Sequence, residues 1–201
     1  MIEPVVVPLL YAPENAIRHA RVVTLTRHMI EVKIMKNWWL DAALKPQFDP
    51  IPIDRHWNWA DAVIDFEGTI LQGQTVGLQT DDGEIQGAML LSSQPAHSFI
   101  ALGSGSLFVE LLCTAPRNRS HLRIDESDLY IGAGVTLLKW AGSESRRLGC
   151  EGRLRLDASP EHLGWYEKRG FQKLPIDPVS FENVQYTPME CARIADRPAG
   201  R

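Results

Sequence analysis

What the chain has little of narrows its class first. Three cysteines, Cys113, Cys150 and Cys191, form an odd and widely spaced set in 201 residues. They exclude a dense disulfide framework and a paired-thiol zinc site, and they read as reduced thiols, with Cys113 expected to be buried. The six histidines never fall in a His-x-x-x-His spacing, so no metal is expected. No apolar stretch approaches the ~20 residues needed to cross a bilayer. At the start, Pro4 and Pro8 interrupt Val5-Val6-Val7 and no basic segment precedes them, so neither a membrane span nor a leader is expected and the reading is cytoplasmic. An excess of basic charge is missing too: 21 Lys and Arg against 25 Asp and Glu give a net charge of -4. That balance argues against nucleic acid as a partner and points to a basic or neutral one.

What is present is the composition of an ordinary soluble domain, 44% hydrophobic and 23% charged. The length suits one domain over residues 1–190, with a loose tail at 191–201 where Asp, Arg, Pro and Gly gather. Residues 15–43 read as one long helix, two helices, or a strand followed by helices, and the β-branched Val22-Val23-Thr24 keeps the last option open. From residue 75 the pattern is plainer. Thr75–Thr80, Asp81-Asp82-Gly83 and Glu84–Leu91 predict a hairpin, and Leu107–Thr114, ending at Pro116, predicts a strand buried on both faces. Ile131, Val135, Leu138, Ala141 and Leu148 predict one side of an amphipathic helix ending at Gly149. Arg153–Asp157 alternates like a strand, Ser159-Pro160 opens a second helix that Gly170 ends, and strands follow at Phe171–Leu174 and Asn183–Glu190. The order strand, strand, strand, helix, strand, helix, strand, strand predicts an α/β fold around a mixed sheet.

Gly132-Ala133-Gly134 stands where a helix begins, so its amides would face an anion without side chains in the way. Alone, such a string is a common turn. It comes with two others: Leu112-Cys113-Thr114-Ala115-Pro116-Arg117-Asn118-Arg119 upstream, and Ser159-Pro160-Glu161-His162-Leu163-Gly164-Trp165-Tyr166-Glu167-Lys168-Arg169-Gly170-Phe171 downstream. In this order the three strings resemble the GNAT superfamily of N-acetyltransferases, whose patterns are Leu-x-Val-x-Pro-x-x-Arg, Gly-x-Gly-x-x-Leu-Leu and Asn-x-x-Ala-x-x-x-Tyr-x-x-x-Gly-Phe.

The resemblance implies a mixed, mostly antiparallel central sheet flanked by helices and splayed at an acyl-CoA site. Residues 75–190 would then form the acyl-CoA-binding core and residues 1–74 a divergent region shaping the acceptor site. It implies direct transfer of acetyl from acetyl-CoA, or another acyl-CoA, to a primary amine through a tetrahedral intermediate. The backbone of Leu112, Cys113 and Thr114 would hold the pantetheine arm, and Arg119, Gly132, Ala133, Gly134 and Val135 the pyrophosphate. Ser159 stands where the family has Asn. Ser120–Leu129 is an insertion between Arg119 and the glycines: a surface loop, or a flap bringing Arg117, Arg119, His121 or Arg123 to a phosphate.

An amine of pKa ~10.4 must lose a proton before it attacks. Glu110, in the apolar strand and on the face of Leu112 and Thr114, is the candidate base, with His56 as an alternative. Tyr166 is the candidate acid for the leaving thiolate. Cys113 is read as an inert apolar residue rather than a nucleophile. Trp57 and Trp59 are candidates for an aromatic acceptor wall as well as for core. The acceptor is a small-molecule or protein amine, and a homodimer is left open. Two alternatives keep the fold: an acyl-CoA-binding module without catalysis, and a toxin that acetylates aminoacyl-tRNA.

Overall fold

Val5–Tyr11 forms the first strand, β1, despite Pro8. It pairs antiparallel with β2, Ala16–Thr24, over its whole length, but with β7, Tyr130–Ile131, only at Leu10 and Tyr11. Among the described pairs Pro8 thus has a neighbour on one side, and its missing N–H interrupts no ladder on the other. Between β1 and β2 the chain reverses at Asn15, which takes the left-handed conformation with φ 47° that asparagine tolerates.

The computed structural model describes residues 5–40, 53–59, 73–119, 121–122, 129–181 and 184–194. They group into two compact units, Met1–Leu90 with Leu111–Leu137, and Leu91–Glu110 with Leu138–Arg201.

In the first unit, residues 15–43 resolve as a strand followed by a helical run. β2 is followed by α1, residues 27–40, made of α-helical Arg27–Met29, π-helical Ile30–Asn37 and α-helical Trp38–Leu40. Thr26 Oγ1 caps it by accepting from the Met29 N–H at 3.3 Å. Ile30, Ile34 and Trp38, four residues apart, bury one stripe against Leu25, Trp59, Ile85, Ala88, Leu90, Cys113 and Ala115. The Trp38 indole N–H donates to the Ile85 carbonyl at 2.9 Å, so a bulky ring enters the core without an orphaned donor.

The hairpin predicted around Asp82-Gly83 is present as β3, Gly73–Thr80, and β4, Ile85–Ser92. Gly83 has φ 82°, and Asp82 Oδ1 accepts from Thr80 Oγ1 at 2.7 Å and from the Glu84 N–H at 3.0 Å. With residues 111–114 of β6, Gly105–Thr114, the strand order in this unit is β6-β4-β3-β2-β1-β7. Two of these strands, β1 and β7, had no counterpart in the sequence, where β1 is interrupted by Pro8 and β7 is only two residues long.

In the second unit the order is β10-β11-β8-β6, with β8 Leu154–Ala158, β10 Val179–Phe181 and β11 Val184–Cys191. Short strands β5, Ala96–His97, and β9, Gln172–Lys173, pair with β6 and β11. β1 with β2 and β7, β2 with β3, β5 with β6, and β11 with β8, β9 and β10 pair antiparallel, whereas β6 with β8 is parallel and joins Leu107 to Leu154, Phe108 to Arg155 and Val109 to Leu156. The fold is α/β with mostly antiparallel strands, as predicted.

Two expectations need correction. β6 is not buried on both faces: Leu107, Val109 and Cys113 are buried, Phe108, Leu111, Leu112 and Thr114 half-buried, and Glu110 exposed. The helix α2, Ala133–Arg147, buries Ala133, Leu137, Leu138, Trp140, Ala141 and Ser145. Its inward stripe therefore runs at 133, 137, 141 and 145, and Ile131 precedes the helix in β7 with 37% exposure. Gly149, φ 80°, ends α2 as predicted. At the C-terminus Cys191 is a buried strand residue and Ile194 is buried, so the chain stays packed to that point, and 195–201 lies outside the described residues.

Candidate active site

The parallel ladder of β6 and β8 lasts three residues, and the first side chains beyond it are both acids. Glu110 follows Val109 and Asp157 follows Leu156, the last paired residues. By alternation both lie on the face of Phe108 and Arg155. Glu110 is exposed as a residue, yet the protein around its carboxyl desolvates it. This desolvation, with the Asp157 charge second, raises its pKa from 4.5 to about 7. Desolvation also raises the Asp157 carboxyl, against the opposing pull of Arg155. Asp157 Oδ1 is fully covered and has no hydrogen-bond partner. The Arg155 guanidinium lies over the rings of Phe99 and Phe108, 4.6 and 5.6 Å from their centroids. Asp157 was missed in the sequence reading, although an acid ending an alternating Arg-Leu-Arg-Leu-Asp strand was a usable signal.

The same unit holds Tyr166, on the short helix α3, Leu163–Glu167, which follows a 3₁₀ turn at Pro160–His162. The spacing Tyr-x-x-x-Gly-Phe has a mechanical reason here. Gly170 takes φ 92° and turns the chain back, the Phe171 N–H donates to the Tyr166 carbonyl at 3.2 Å, and the Phe171 ring meets the Tyr166 ring edge-on at 5.4 Å. Trp165 packs edge-on from another side at 4.9 Å. Arg169 stacks on Trp165 at 3.7 Å and donates to its carbonyl at 2.7 Å. Burial draws this guanidinium below its ordinary value while Tyr166 acts in the opposite sense. Ser159 sits at the N-cap, but its hydroxyl meets His162 Nδ1 at 2.8 Å and makes no capping bond to backbone.

In the first unit, α2 starts directly after Gly132. Gly132 adopts φ 94°, and a Cβ built there meets nothing within 4 Å. The Thr136 N–H donates to the Gly132 carbonyl at 2.9 Å. The N–H groups of Ala133, Gly134 and Val135, which precede that bond, have no partner within the helix. Gly87 on β4 lets the helix start approach: a Cβ there would lie 3.0 Å from Leu137 Cδ1, 3.3 Å from the Cys113 carbonyl and 3.5 Å from Ala133 Cβ. Asn118 fixes the approach from the loop, accepting from the Tyr130 N–H at 2.8 Å and donating to the Gln86 carbonyl at 3.2 Å. Neither Gly87 nor Asn118 was singled out in the sequence, because both act through packing that has no local pattern.

The Ala115 N–H donates to Gln86 on β4 at 3.0 Å. By strand alternation the backbone groups of Leu112 and Thr114 therefore face away from β4, along this unit's sheet edge, while those of Cys113 face β4. Burial pushes the Cys113 thiol well above its ordinary range, which suits an inert core residue and not a nucleophile.

Arg119 is engaged by Asp54 and by the end of β6. Its Nη1 donates to Asp54 Oδ1 at 2.8 Å, Nη2 binds Asp54 Oδ2, and Nε donates to the Thr114 carbonyl at 3.0 Å. The cause is Asp54 itself, which at 8% exposure needs a cation. Trp59 is core, 2% exposed, and Trp57 packs on it with centroids 6.3 Å apart. The cavity beside them, lined also by Trp38 and Trp39, measures about 50 Å³, room for a few waters rather than an acceptor. His56 lies in the 3₁₀ turn Ile53–His56. Leu122 and Leu129 anchor the two ends of the insertion by burial, and residues 120 and 123–128 lie outside the described residues. Among the described residues no three acids, histidines or cysteines are grouped to hold a metal, and no helix is long and apolar enough to cross a membrane.

In comparison with known proteins, no family model and no curated sequence matches the chain. Solved structures do. A chimera of the spermidine N-acetyltransferase SpeG from Vibrio cholerae with hSSAT is similar with a TM-score of 0.54 and 11% identity, over 86% of this chain and 94% of that one. Naa20 from Chaetomium thermophilum, solved in complex with a bisubstrate analogue, gives 0.53 and 11% over 86% of each chain. A candidate GnaT-family acetyltransferase from Bordetella pertussis gives 0.52 and 13% over 86% of this chain and 95% of that one. With the three motifs in order and the mostly antiparallel strands around one short parallel ladder, these likenesses show that the chain has the fold of the GNAT acetyltransferases.

Proposed function

We propose that this protein is an acyl-CoA-dependent N-acyltransferase that moves acetyl from acetyl-CoA to a primary amine by direct attack. The observation that carries the reading is Glu110: a carboxyl just past the end of a parallel ladder, with a pKa of about 7, is matched to accepting a proton at neutral pH. In this reading the N–H groups of Ala133, Gly134 and Val135 hold the pyrophosphate, and the outward backbone groups of Leu112 and Thr114 hold the pantetheine arm. The open space at Gly132 and the orientation set by Ala115 support these assignments. Arg119 acts by fixing the end of β6 through the Thr114 carbonyl. Ser159, through His162, orders the turn that leads to Tyr166. Trp57 and Trp59 support the acceptor region from within the core rather than touching the acceptor.

Acetyl-CoA supplies an activated thioester. The amine nitrogen bonds to the thioester carbon, its proton passes to Glu110, the carbon–sulfur bond breaks, and Tyr166 gives its hydroxyl proton to the departing thiolate. The Arg169 cation favours that transfer by stabilising negative charge on the phenol oxygen.

The test is incubation of the protein with acetyl-CoA and a mixed panel of amines, including alkylamines, peptide amino termini and aminoacyl-tRNA, followed by mass spectrometry and thiol titration. The expected result is acetylated amine in equal amount to released CoA thiol. Binding of CoA without thiol release across the panel would make the chain a binding module.

A further inference from the structure

The stretch that leads into α2 is tied to the first strand of the fold. Leu10 and Tyr11 of β1 pair with Ile131 and Tyr130 of β7, and the Ala12 N–H donates to the Leu129 carbonyl at 2.9 Å. That bond makes Tyr11 and Tyr130 a non-hydrogen-bonded pair, in which side chains lie close and backbone groups face outward. The two buried rings accordingly meet with centroids 5.0 Å apart. The outward Tyr130 N–H is taken by Asn118 Oδ1 at 2.8 Å, and the Asn118 amide donates in turn to the carbonyl and the side chain of Gln86 at 3.2 and 3.1 Å. Arg18 covers the pair: its guanidinium lies 3.7 Å from the Tyr11 centroid, binds Glu14 at 2.6 Å, and hydrogen bonds to Tyr130 as well.

Only Ile131 separates Tyr130 from Gly132, whose φ of 94° turns the chain into α2. The direction of the Ala133, Gly134 and Val135 N–H groups is therefore set by where β7 docks. A strand of two residues has no order of its own, so the order comes from β1. N–H groups bind an anion tightly when they converge before it arrives, because ordering them on arrival subtracts from the affinity.

We propose that Tyr11, through its pairing with Tyr130, is a positioning residue that presets the start of α2 for the pyrophosphate of acyl-CoA. The inference rests on the acyl-transfer reading and adds to it a residue that acts on the donor only through Tyr130 and Gly132. Loss of the ring pair loosens β7 and weakens the hold on the pyrophosphate, while the thioester end of the donor keeps its reactivity.

The experiment compares wild type with Tyr11→Ala, Tyr11→Phe, Ala12→Pro and Gly134→Glu. Ala12→Pro removes the N–H that binds Leu129 at the first position of a 3₁₀ turn, where proline is tolerated, and so tests the same tie if Tyr11→Ala does not fold. Gly134→Glu sets a carboxylate among the N–H groups themselves. Calorimetry gives Kd for CoA without turnover. Steady-state kinetics gives kcat and KM for acetyl-CoA, and kcat/KM for S-acetyl-N-acetylcysteamine, a donor with the thioester but no pyrophosphate. Tyr11→Ala and Ala12→Pro should raise Kd and KM about tenfold, equivalent to ~1.4 kcal/mol, with kcat and the truncated donor unaffected. Tyr11→Phe, which keeps the ring pair, should bind CoA as wild type does. Wild-type affinity for CoA in folded Tyr11→Ala, or in Ala12→Pro where Tyr11→Ala does not fold, would overturn the role of Tyr11. An equal loss with the truncated donor would overturn it too, since that marks a general loss of structure. In both cases weakened CoA binding in Gly134→Glu leaves the donor site standing. Unchanged CoA binding in Gly134→Glu would overturn the placement of the pyrophosphate at α2 and this inference with it, and absence of CoA binding in wild type would overturn the acyl-CoA reading itself.

Discussion

Asp54 in the first unit and Glu110 in the second are both carboxylates that the protein partly or wholly withdraws from water, and they are treated in opposite ways. Asp54 meets a forked guanidinium on both oxygens, and the same arginine reaches on to the Thr114 carbonyl. The charge that acts on Glu110 is another negative one, that of Asp157. A buried charge with a fitted counter-ion holds a structure in place and is chemically quiet. One left without a counter-ion has its proton affinity moved toward neutrality, which is the condition for passing protons. The contrast separates the acid that builds from the acid proposed to react.

The contrast breaks most visibly if each acid is neutralised in turn. Glu110→Gln keeps the shape and removes the base, so kcat/KM for an amine should fall about a thousandfold, within the range that positioned bases contribute. A fall of less than threefold in steady-state kinetics would move the base elsewhere, to His56 or to water. Asp54→Ala leaves Arg119 without its partner, and chemical denaturation should show a loss of about 3 kcal/mol. An unchanged midpoint would mean that the pair contributes nothing to folding.

Tyr166→Phe is expected to lower kcat about tenfold with KM for acetyl-CoA unchanged, as for a group that acts on the leaving thiolate alone. A change confined to KM would make the hydroxyl a binding group.

The last effect is on the pH dependence of stability. Glu110 has a folded pKa raised from 4.5 to about 7, so the folded chain holds a proton that the unfolded chain has lost. Stability should therefore decline as pH rises from about 4.5 to about 7, and Glu110→Gln should lack that component. Parallel melting curves for the two proteins would remove Glu110 from the account of pH.

Much of the fold from residue 73 onward was legible because its devices are local. Asp82-Gly83 makes a turn, Gly149 ends a helix, and Gly170 lets Phe171 fold back on Tyr166. Of the first two strands, β1 was not, since it contains a proline, and β2 was legible only as one of three readings of residues 15–43, since it carries charged residues on its open face. The helix stripe of α2 was read in the wrong phase because Leu137 and Leu138 are both buried, and apolar spacing alone cannot tell which of two adjacent leucines lies at the centre.

At the site, Glu110 was legible as the one charge in an apolar strand, and Gly132 as a helix start. Arg119 fits the motif by position, and its guanidinium is bound by Asp54, 65 residues earlier in the chain. Long-range pairing of this kind has no signature in sequence. Asp157 carries the same lesson: its meaning comes from the point where β8 stops pairing with β6, which only register reveals.

The central claim is that Glu110 is the proton acceptor, and the most direct test is the pH dependence of kcat/KM for acetyl transfer to an alkylamine in wild type and Glu110→Gln. The account predicts that wild-type activity rises with a midpoint near the Glu110 pKa of about 7 and that this rise is absent from the variant. The same midpoint in both proteins would contradict it.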